Sequence, residues 1–326
     1  MKYYPVFIPT LNRYFHFKNC VESLSKCTHA DKTELVIGLD YPPEEKYEEG
    51  YQLIKCYLPT IKGFGKITIF EHEENLGPIG NWNYLVKYCK SNYDAYIGTE
   101  DDNVFSPAFL DFMDQALERF QDDDNILTVS GYNPPDAYDQ GGYTTYLSKD
   151  NCAWGIGLWV RKEDKLHRTL NDTSFYRRII HSRSQGKLIY ESYPILYKAL
   201  DSMIKENANW DDSKRTAINI LCKKNQLKPA ISLVRNCGYD GSGVHCGINT
   251  TGLNTQQISD ALLFDFSEGI GPSDTEINKK SLYNHGLPED PETRKKLLIY
   301  ISHIYKSNTH VFWRIRQLSS KIRIHI

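Results

Sequence analysis

The chain lacks a dominant charge. Its 39 Lys and Arg nearly balance 41 Asp and Glu, leaving −2 overall, and this excludes a nucleic-acid binder driven by bulk charge. It also lacks any run approaching the ~18 apolar residues that a membrane span requires, so the expectation is a soluble or membrane-peripheral protein. No CxxC pair and no regular framework connects its eight cysteines, Cys20, Cys27, Cys56, Cys89, Cys152, Cys222, Cys237 and Cys246. That fits a reducing cytosol, with most thiols buried as small apolar groups. There is no internal repeat and no low-complexity segment. Met1-Lys2-Tyr3-Tyr4-Pro5 leads directly into an apolar run rather than reading as a signal peptide. What is present is length enough, at 326 residues, to bury a large core in one extended α/β domain with an appendage. Tyrosine is abundant, at 23 residues, which suits either stacking on sugars and bases or ordinary packing.

The first half alternates strands and helices. Apolar runs at Tyr3–Pro9, Glu34–Asp40, Lys66–Phe70, Asn92–Thr99 and Asn125–Tyr132 are separated by helical patterns. This is the signature of a largely parallel sheet covered on both faces. The fourth run ends in Glu100-Asp101-Asp102, and Ser106-Pro107 then opens a helix with Phe109, Leu110, Phe112, Met113 and Leu117 at helical spacing. Clustered acids at the carboxyl edge of such a sheet stand where α/β folds bind ligands. Three adjacent carboxylates repel one another, and a hard divalent cation bridging them to substrate phosphates relieves that repulsion. The alternative is a solvated acidic turn favouring a helix N-terminus.

The second half is less regular. Gly131–Asp150 reads as a long turn-rich loop, and Asn151–Trp159 places Trp154 and Trp159 beside Gly155 and Gly157. Helices are expected near Glu163–Leu170, Pro194–Glu206 and Asp211–Lys224, then a strand at Leu227–Val234 and a glycine-rich loop at Arg235–Gly247. The remainder from about Ile248 reads as looser, ending in a basic, aromatic-bearing tail from about His310.

Several of these segments together resemble GT-A fold glycosyltransferases. Pro9-Thr10-Leu11-Asn12-Arg13 is similar to the first-strand motif of family-2 transferases, and Asn75-Leu76-Gly77 followed by Asn83 to their third-strand loop. Glu100-Asp101-Asp102 resembles the acidic motif of the branch that includes N-acetylglucosaminyltransferase I. Cys152-Ala153-Trp154-Gly155-Ile156-Gly157 is similar to an acceptor-side Trp-Gly motif, and Trp210-Asp211 with Pro229 through Cys246 to the final catalytic block. The resemblance covers about residues 3–247. It departs from the family where Asp212-Ser213-Lys214 follows Asp211, since many members carry Trp or Arg there.

The resemblance implies a GT-A, Rossmann-like α/β domain over residues 1–247, with a donor half to about 130 and an acceptor half from 131. Residues 248–326 form a C-terminal helical extension. It implies a metal-dependent, inverting hexosyltransferase that uses a nucleotide sugar, UDP-linked by expectation, to build surface polysaccharide or lipopolysaccharide. Asp102 would bind Mn²⁺ or Mg²⁺ directly, with His245 as a second ligand, while Glu100 and Asp101 meet ribose or metal-bound water. Pro9, Thr10, Asn12, Arg13, Asp40, Asn75, Gly77 and Asn83 would line the donor site, Asp40 accepting from the uracil N–H. Trp154, Gly155 and Trp210 would face the acceptor, with an ordinary core position the alternative for Trp154. A single displacement requires a general base for the acceptor hydroxyl. Asp211 is the first choice and Asp212 the second, though acids in a first helical turn also serve the helix alone. Phe312, Trp313, Ile315, Leu318, Ile322 and Ile324 interleave with Arg314, Arg316, Lys321 and Arg323. That suits either an anionic inner-membrane surface carrying a lipid-linked acceptor or a docked terminal helix. The competing functions are a sugar-nucleotide pyrophosphorylase, disfavoured by the absence of a glycine-rich basic loop after the first strand, and a non-catalytic carbohydrate-binding protein.

Overall fold

The computed structural model describes residues 1–135, 141–242, 253–259 and 264–322. In chain order the elements are β1 (Val6–Thr10), α1 (Tyr14–Leu24), β2 (Glu34–Leu39), α2 (Glu48–Tyr57), β3 (Lys66–Glu71), α3 (Gly77–Asn92), β4 (Ala95–Gly98) and β5 (Asn103–Phe105). They continue with α4 (Phe109–Arg119), β6 (Ile126–Ser130), β7 (Thr145–Ser148), β8 (Ile156–Trp159), α5 (Val160–Asn171), α6 (Thr173–His181), α7 (Gln185–Ser192), α8 (Pro194–Glu206) and α9 (Asp211–Cys222). Last come β9 (Asn225–Pro229), β10 (Val234–Asn236), α10 (Glu276–Asn284) and α11 (Pro291–Ile322). They fall into two units. The first comprises Met1–Leu147, Cys152–Glu163 and Gln226–Pro272, and the second Ser148–Asn151, Asp164–Asn225 and Ser273–Ile326.

The first unit carries an eight-stranded sheet in the order β3-β2-β1-β4-β8-β6-β9-β7. β3, β2, β1 and β4 run parallel, and β8 is antiparallel to both β4 and β6. β1, β2 and β4 are buried almost end to end because both faces are covered, whereas β3, at the sheet edge, is partly exposed. Val6, Ile8, Leu35 and Ile37 pack in one cluster with Phe17, Cys20, Val21 and Leu24 of α1. Phe7, Val36 and Tyr96 pack in another with Leu85 and Cys89 of α3. Each such side chain contributes on the order of 1.5–3 kcal/mol by leaving water. At the amino edge, the buried Glu34 carboxylate accepts from Thr68 (2.5 Å), Tyr88 (2.8 Å) and Tyr93 and pairs with Lys66 (2.9 Å). Burial alone would raise its pKa, but these partners outweigh it and hold Glu34 down to about 2. Lys162 is buried too, and its ammonium caps the end of the α4 turn by donating to the carbonyls of Phe120, Asp123 and Ile126.

The second unit is helical. Tyr176, Ile179, Leu196, Tyr197, Leu200 and Ile218 are among its buried residues. Tyr197 donates to the Ile180 carbonyl at 2.7 Å, and Asn308 of α11 donates to Asp201 at 2.9 Å. Tyr190 and Tyr305 stack at 4.7 Å.

Several elements differ from expectation. The stretch read as one loop, Gly131–Asp150, contains β7, and the glycine–aromatic stretch after it contains β8, which stands inside the sheet. Gly157 is needed there because an added Cβ would stand 2.8 Å from Met113 Cε of α4. The single strand expected at Leu227–Val234 is two, and β10 leaves the large sheet to pair antiparallel with β5. Helices α6 and α7 were not expected, and the region beyond residue 248 that reads as loose holds α10 and α11. No helix among the described residues is long and apolar enough to cross a membrane.

Candidate active site

The strand order reverses between β1 and β4, where helices connect to opposite sides, and the carboxyl ends there form the crevice that binds ligands in open α/β sheets. Register fixes who meets whom. Phe7 lies against Gly98 in the parallel ladder, so three residues further along Thr10 comes level with Asp101. The Thr10 hydroxyl donates to Asp101 Oδ2 at 2.8 Å. Arg13, at the N-cap of α1, reaches both acids. Its Nη1 donates to Asp102 Oδ2 at 2.8 Å and its Nη2 to Asp101 Oδ1. From β10, the Asn236 amide donates to Asp102 Oδ1 at 2.8 Å, and the next backbone N–H, of Cys237, donates to the Asp102 carbonyl at 2.8 Å. Gly238 completes the wall, where a Cβ would stand 2.0 Å from Asp102 Oδ2.

Both aspartates are about 5 % exposed, and the electrostatics follow from that. Burial pushes the Asp101 carboxyl above the ordinary range, with Arg13 and Thr10 pulling against burial and Asp102 adding to it. For Arg13 burial opposes the charge, but the two carboxylates outweigh it, so the guanidinium is held charged even more firmly than usual. Glu100 is half-buried beside them, and its carbonyl receives the Cys20 thiol at 3.6 Å.

At the end of β2, Asp40 is buried, its N–H donating to the Thr10 carbonyl at 2.9 Å. Its carboxylate accepts from the Leu76 N–H at 2.8 Å and from Asn75 Nδ2 at 3.3 Å. Asn75 also holds the Tyr41 carbonyl at 2.6 Å. The structure thus brings Asp40 and Asn75 together. Gly77 takes φ +69 to open α3, a conformation that side-chain-bearing residues avoid. Asn83 is exposed on α3. Asn81, two residues earlier and so about 200° around the helix, is the buried one, donating to the Gly38 carbonyl at 2.8 Å. Pro9 pairs with Gly38 in the ladder. The Asn12 carbonyl lies where a Cβ on Gly50 of α2 would be, only 1.9 Å away.

Antiparallel pairing of Gly98 with Ile156 carries Gly155 and Trp154 to the same edge as the acids. Gly155 has φ +62, and Phe109 occupies the space of its missing Cβ at 2.7 Å. Trp154 is half-buried and meets the edges of Tyr132 at 4.6 Å and Tyr239 at 6.0 Å between centroids. Beyond Tyr239, Asp240 joins His16 Nε2 of α1 at 2.9 Å. Burial works against the Asp240 charge, but Ser242 and His16 outweigh it and hold its pKa at about 2.

In the second unit, Trp210 is the N-cap of α9 and is 37 % exposed. Asp211 follows, its carboxylate ion-paired with the buried Arg215 one turn on and its side chain 51 % exposed. Asp212 is half-buried and accepts from Asn151 Nδ2 at 2.8 Å. Geometry therefore distinguishes the two acids: one is solvent-facing and held by a cation, the other held by an amide. His245 lies outside the described residues.

Among the described residues no group of three or more His, Cys, Asp or Glu gathers as a metal cage. Asp101 and Asp102 nonetheless offer the hard carboxylate oxygens that Mg²⁺ or Mn²⁺ takes when substrate phosphates complete its shell, so the donor chemistry fits. Sequence reasoning assigned no role to Asn236 or Asn81. The alternation along β10, with Val234 and Asn236 buried about Arg235, was the available sign for Asn236.

Residues 6–183 match the family model described as Glycosyl transferase family 2. No curated protein matches the chain. Among solved structures, S. aureus TarS 1–349 is 14% identical with a TM-score of 0.38, over 51% of this chain and 49% of that one, so the match spans about half of that chain. The mannosyltransferase PcManGT from Pyrobaculum calidifontis, in complex with GDP-Man and Mn²⁺, is 13% identical over 67% of this chain and 74% of its own, with a TM-score of 0.36. Mouse xyloside xylosyltransferase 1, in its apo form, is 9% identical over 68% and 83%, with a TM-score of 0.39.

Proposed function

The chain belongs to glycosyl transferase family 2, and on that premise we propose that it is a metal-dependent, inverting transferase. It moves a sugar from a UDP-linked donor to a hydroxyl of a glycan or lipid-linked acceptor in surface polysaccharide or lipopolysaccharide synthesis. The observation that carries the reading is the buried Asp101–Asp102 pair at the reversal of strand order between β1 and β4.

Asp102, with Asp101 beside it, would hold Mn²⁺ or Mg²⁺, and His245 would add a second ligand. When bound, such an ion compensates the negative charge that builds on a departing diphosphate. Asp40, its carboxylate oriented by Leu76 and Asn75, accepts from the uracil N–H. Thr10 and Arg13 orient the acids, and Glu100 meets the ribose. Trp154 offers a face to the acceptor sugar, and Trp210 flanks the base. Asp211 is that base. Asp211 is exposed enough to reach a hydroxyl and takes its proton as the oxygen attacks the anomeric carbon from the face opposite the leaving group. Arg215, one turn on, holds the Asp211 carboxylate in place through their ion pair.

A thermal-shift screen of UDP- and GDP-sugars with and without Mn²⁺ tests the donor, since a true ligand stabilises by mass action. Proton NMR of the product from an α-linked donor tests the stereochemistry. A β-linked product supports single displacement, and an α-linked product refutes it.

A further inference from the structure

The four oxygens of Asp101 and Asp102 already have four donors. Thr10 takes one oxygen of Asp101 and Asn236 one of Asp102. The remaining two, one from each acid, go to the same guanidinium, Arg13. That side chain is 20% exposed while the carboxylates are at 7% and 6%, so the cation stands on the outer side of the acids and covers them. The pair is thus neutralised in part by the protein itself, with one donor on every oxygen. A divalent ion cannot take the Arg13-bound oxygen of Asp102 while a positive group remains on it, because like charges at that separation repel strongly where water is scarce.

We infer that Arg13 is a resident counter-cation that bars metal from Asp102 until a nucleoside diphosphate draws the guanidinium away. The inference rests on the metal-dependent reading above. Charge counting explains the coupling. Two carboxylates and one guanidinium leave a single negative charge, and the diphosphate of a nucleotide sugar adds two more. Donor without metal is therefore repelled by the acids, and metal without donor is repelled by Arg13. A guanidinium favours phosphate oxygens through paired charge-assisted bonds, so a diphosphate offers it an alternative partner. Metal and nucleotide then enter together, each tightening the other by the same factor. The opening of α1 suits this exchange. Arg13 lies at the N-cap with φ −85 and ψ 67, outside the helix proper, and makes no side-chain cap bond there.

The test reads metal binding rather than turnover. Free Mn²⁺ is followed by electron paramagnetic resonance while full-length protein is titrated, with and without saturating UDP, for the wild type, Arg13→Gln and Arg13→Lys. Folding is checked by melting curves. The wild type should bind Mn²⁺ weakly alone and at least ~10-fold more tightly with UDP, a coupling in the usual allosteric range. Arg13→Gln should bind Mn²⁺ alone at least ~10-fold more tightly than wild type and gain less from UDP than wild type does. Arg13→Lys, whose single ammonium cannot span both acids in the same way, should fall between. Equal or weaker Mn²⁺ binding by Arg13→Gln without nucleotide overturns the inference. If that variant does not fold, wild-type coupling in Arg13→Lys overturns it and intermediate coupling supports it. Absence of Mn²⁺ binding in every form, with UDP binding intact, instead removes the metal-dependent reading, and the counter-cation role falls with it.

Discussion

Replacing Gly238 by alanine probes the acid site without touching an acid. The new Cβ would lie 2.0 Å from Asp102 Oδ2, 2.7 Å from its Cγ and 3.3 Å from Arg13 Nη1. Ordinary contacts begin near 3.4 Å, so Asp102 must retreat by more than an ångström or the β10 loop must lift. Gly238 does not carry a positive φ, so crowding rather than backbone strain is the perturbation. Either response breaks a charge-assisted hydrogen bond, worth about 1.5–3 kcal/mol, and adds overpacking of about 1–3 kcal/mol. Partial relaxation should leave a net loss of roughly 2–4 kcal/mol, or a fall in Tm on the order of 5–15 °C for a domain of this size. If Asp102 serves the metal and donor, UDP affinity in Mn²⁺ should weaken by about 10- to 150-fold, the equivalent of the lost bond. Differential scanning fluorimetry and calorimetric UDP titration measure the two effects. Gly142→Ala is the control, since Gly142 has φ +87 but nothing within 4 Å of its Cβ position. It should cost about 1–2 kcal/mol of strain and leave UDP affinity alone. A Gly238→Ala protein that melts with wild type and binds UDP normally would show that the loop yields freely and that the packing described does not constrain Asp102.

Other expectations are more direct. Asp102→Asn should lose Mn²⁺-dependent UDP binding, and EDTA should abolish wild-type transfer until Mn²⁺ or Mg²⁺ is restored; full activity in chelator would refute the metal assignment. Asp211→Asn should lower kcat by on the order of 10²–10⁴-fold with UDP-sugar affinity nearly unchanged, whereas Asp212→Asn should cost far less; the reverse pattern in parallel assays would exchange their roles. Glu34 is held at about 2 in the folded chain against an ordinary 4.5, so its contribution is present above pH ~4.5 and is lost as pH falls toward 2. Wild type should therefore exceed Glu34→Gln in stability by on the order of 2–3 kcal/mol at pH 7 and lose that margin by pH 2; a margin that does not change with pH in urea melts would count against the buried carboxylate. Deleting residues 311–326 should release the protein from anionic liposomes while sparing turnover on a soluble acceptor, and undiminished liposome binding would remove the membrane role of the tail.

The parts legible in the sequence were those whose physics is local. β1 and β2 carry unbroken apolar runs, over residues 6–9 and 35–39, because two layers cover them, and that pattern survives without knowledge of the layers. The acids were conspicuous because three carboxylates in a row are costly unless something answers their charge. β8 was hidden because four residues beginning after one glycine and containing another carry little strand propensity; its place is set by Phe109, Met113 and Leu117, which fill the space those glycines leave. β5 and β10 are three residues each and exist only as partners. α6 and α7 escaped because their buried residues are few and separated by charged ones, Tyr176, Ile179 and Ile180 in the one and Gly186 and Ile189 in the other. The alternation along β10 hinted that Asn236 is buried, but its partner could not be read along the chain, since that contact is with Asp102 far upstream.

That separation has a consequence for how the protein is made. Asn236 and Asp102 are 134 positions apart, and a ribosome adding about 5–20 residues per second needs roughly 7–27 s to travel between them. At its start only β1 through β4 have been made, and until its end the acid pair can have Thr10 and Arg13 as partners but not Asn236. The last wall arrives only after the intervening helices have emerged. During synthesis, Arg13 is therefore the earliest cation to quiet the carboxylates, and a chain lacking it must carry two unanswered charges through the whole of that wait.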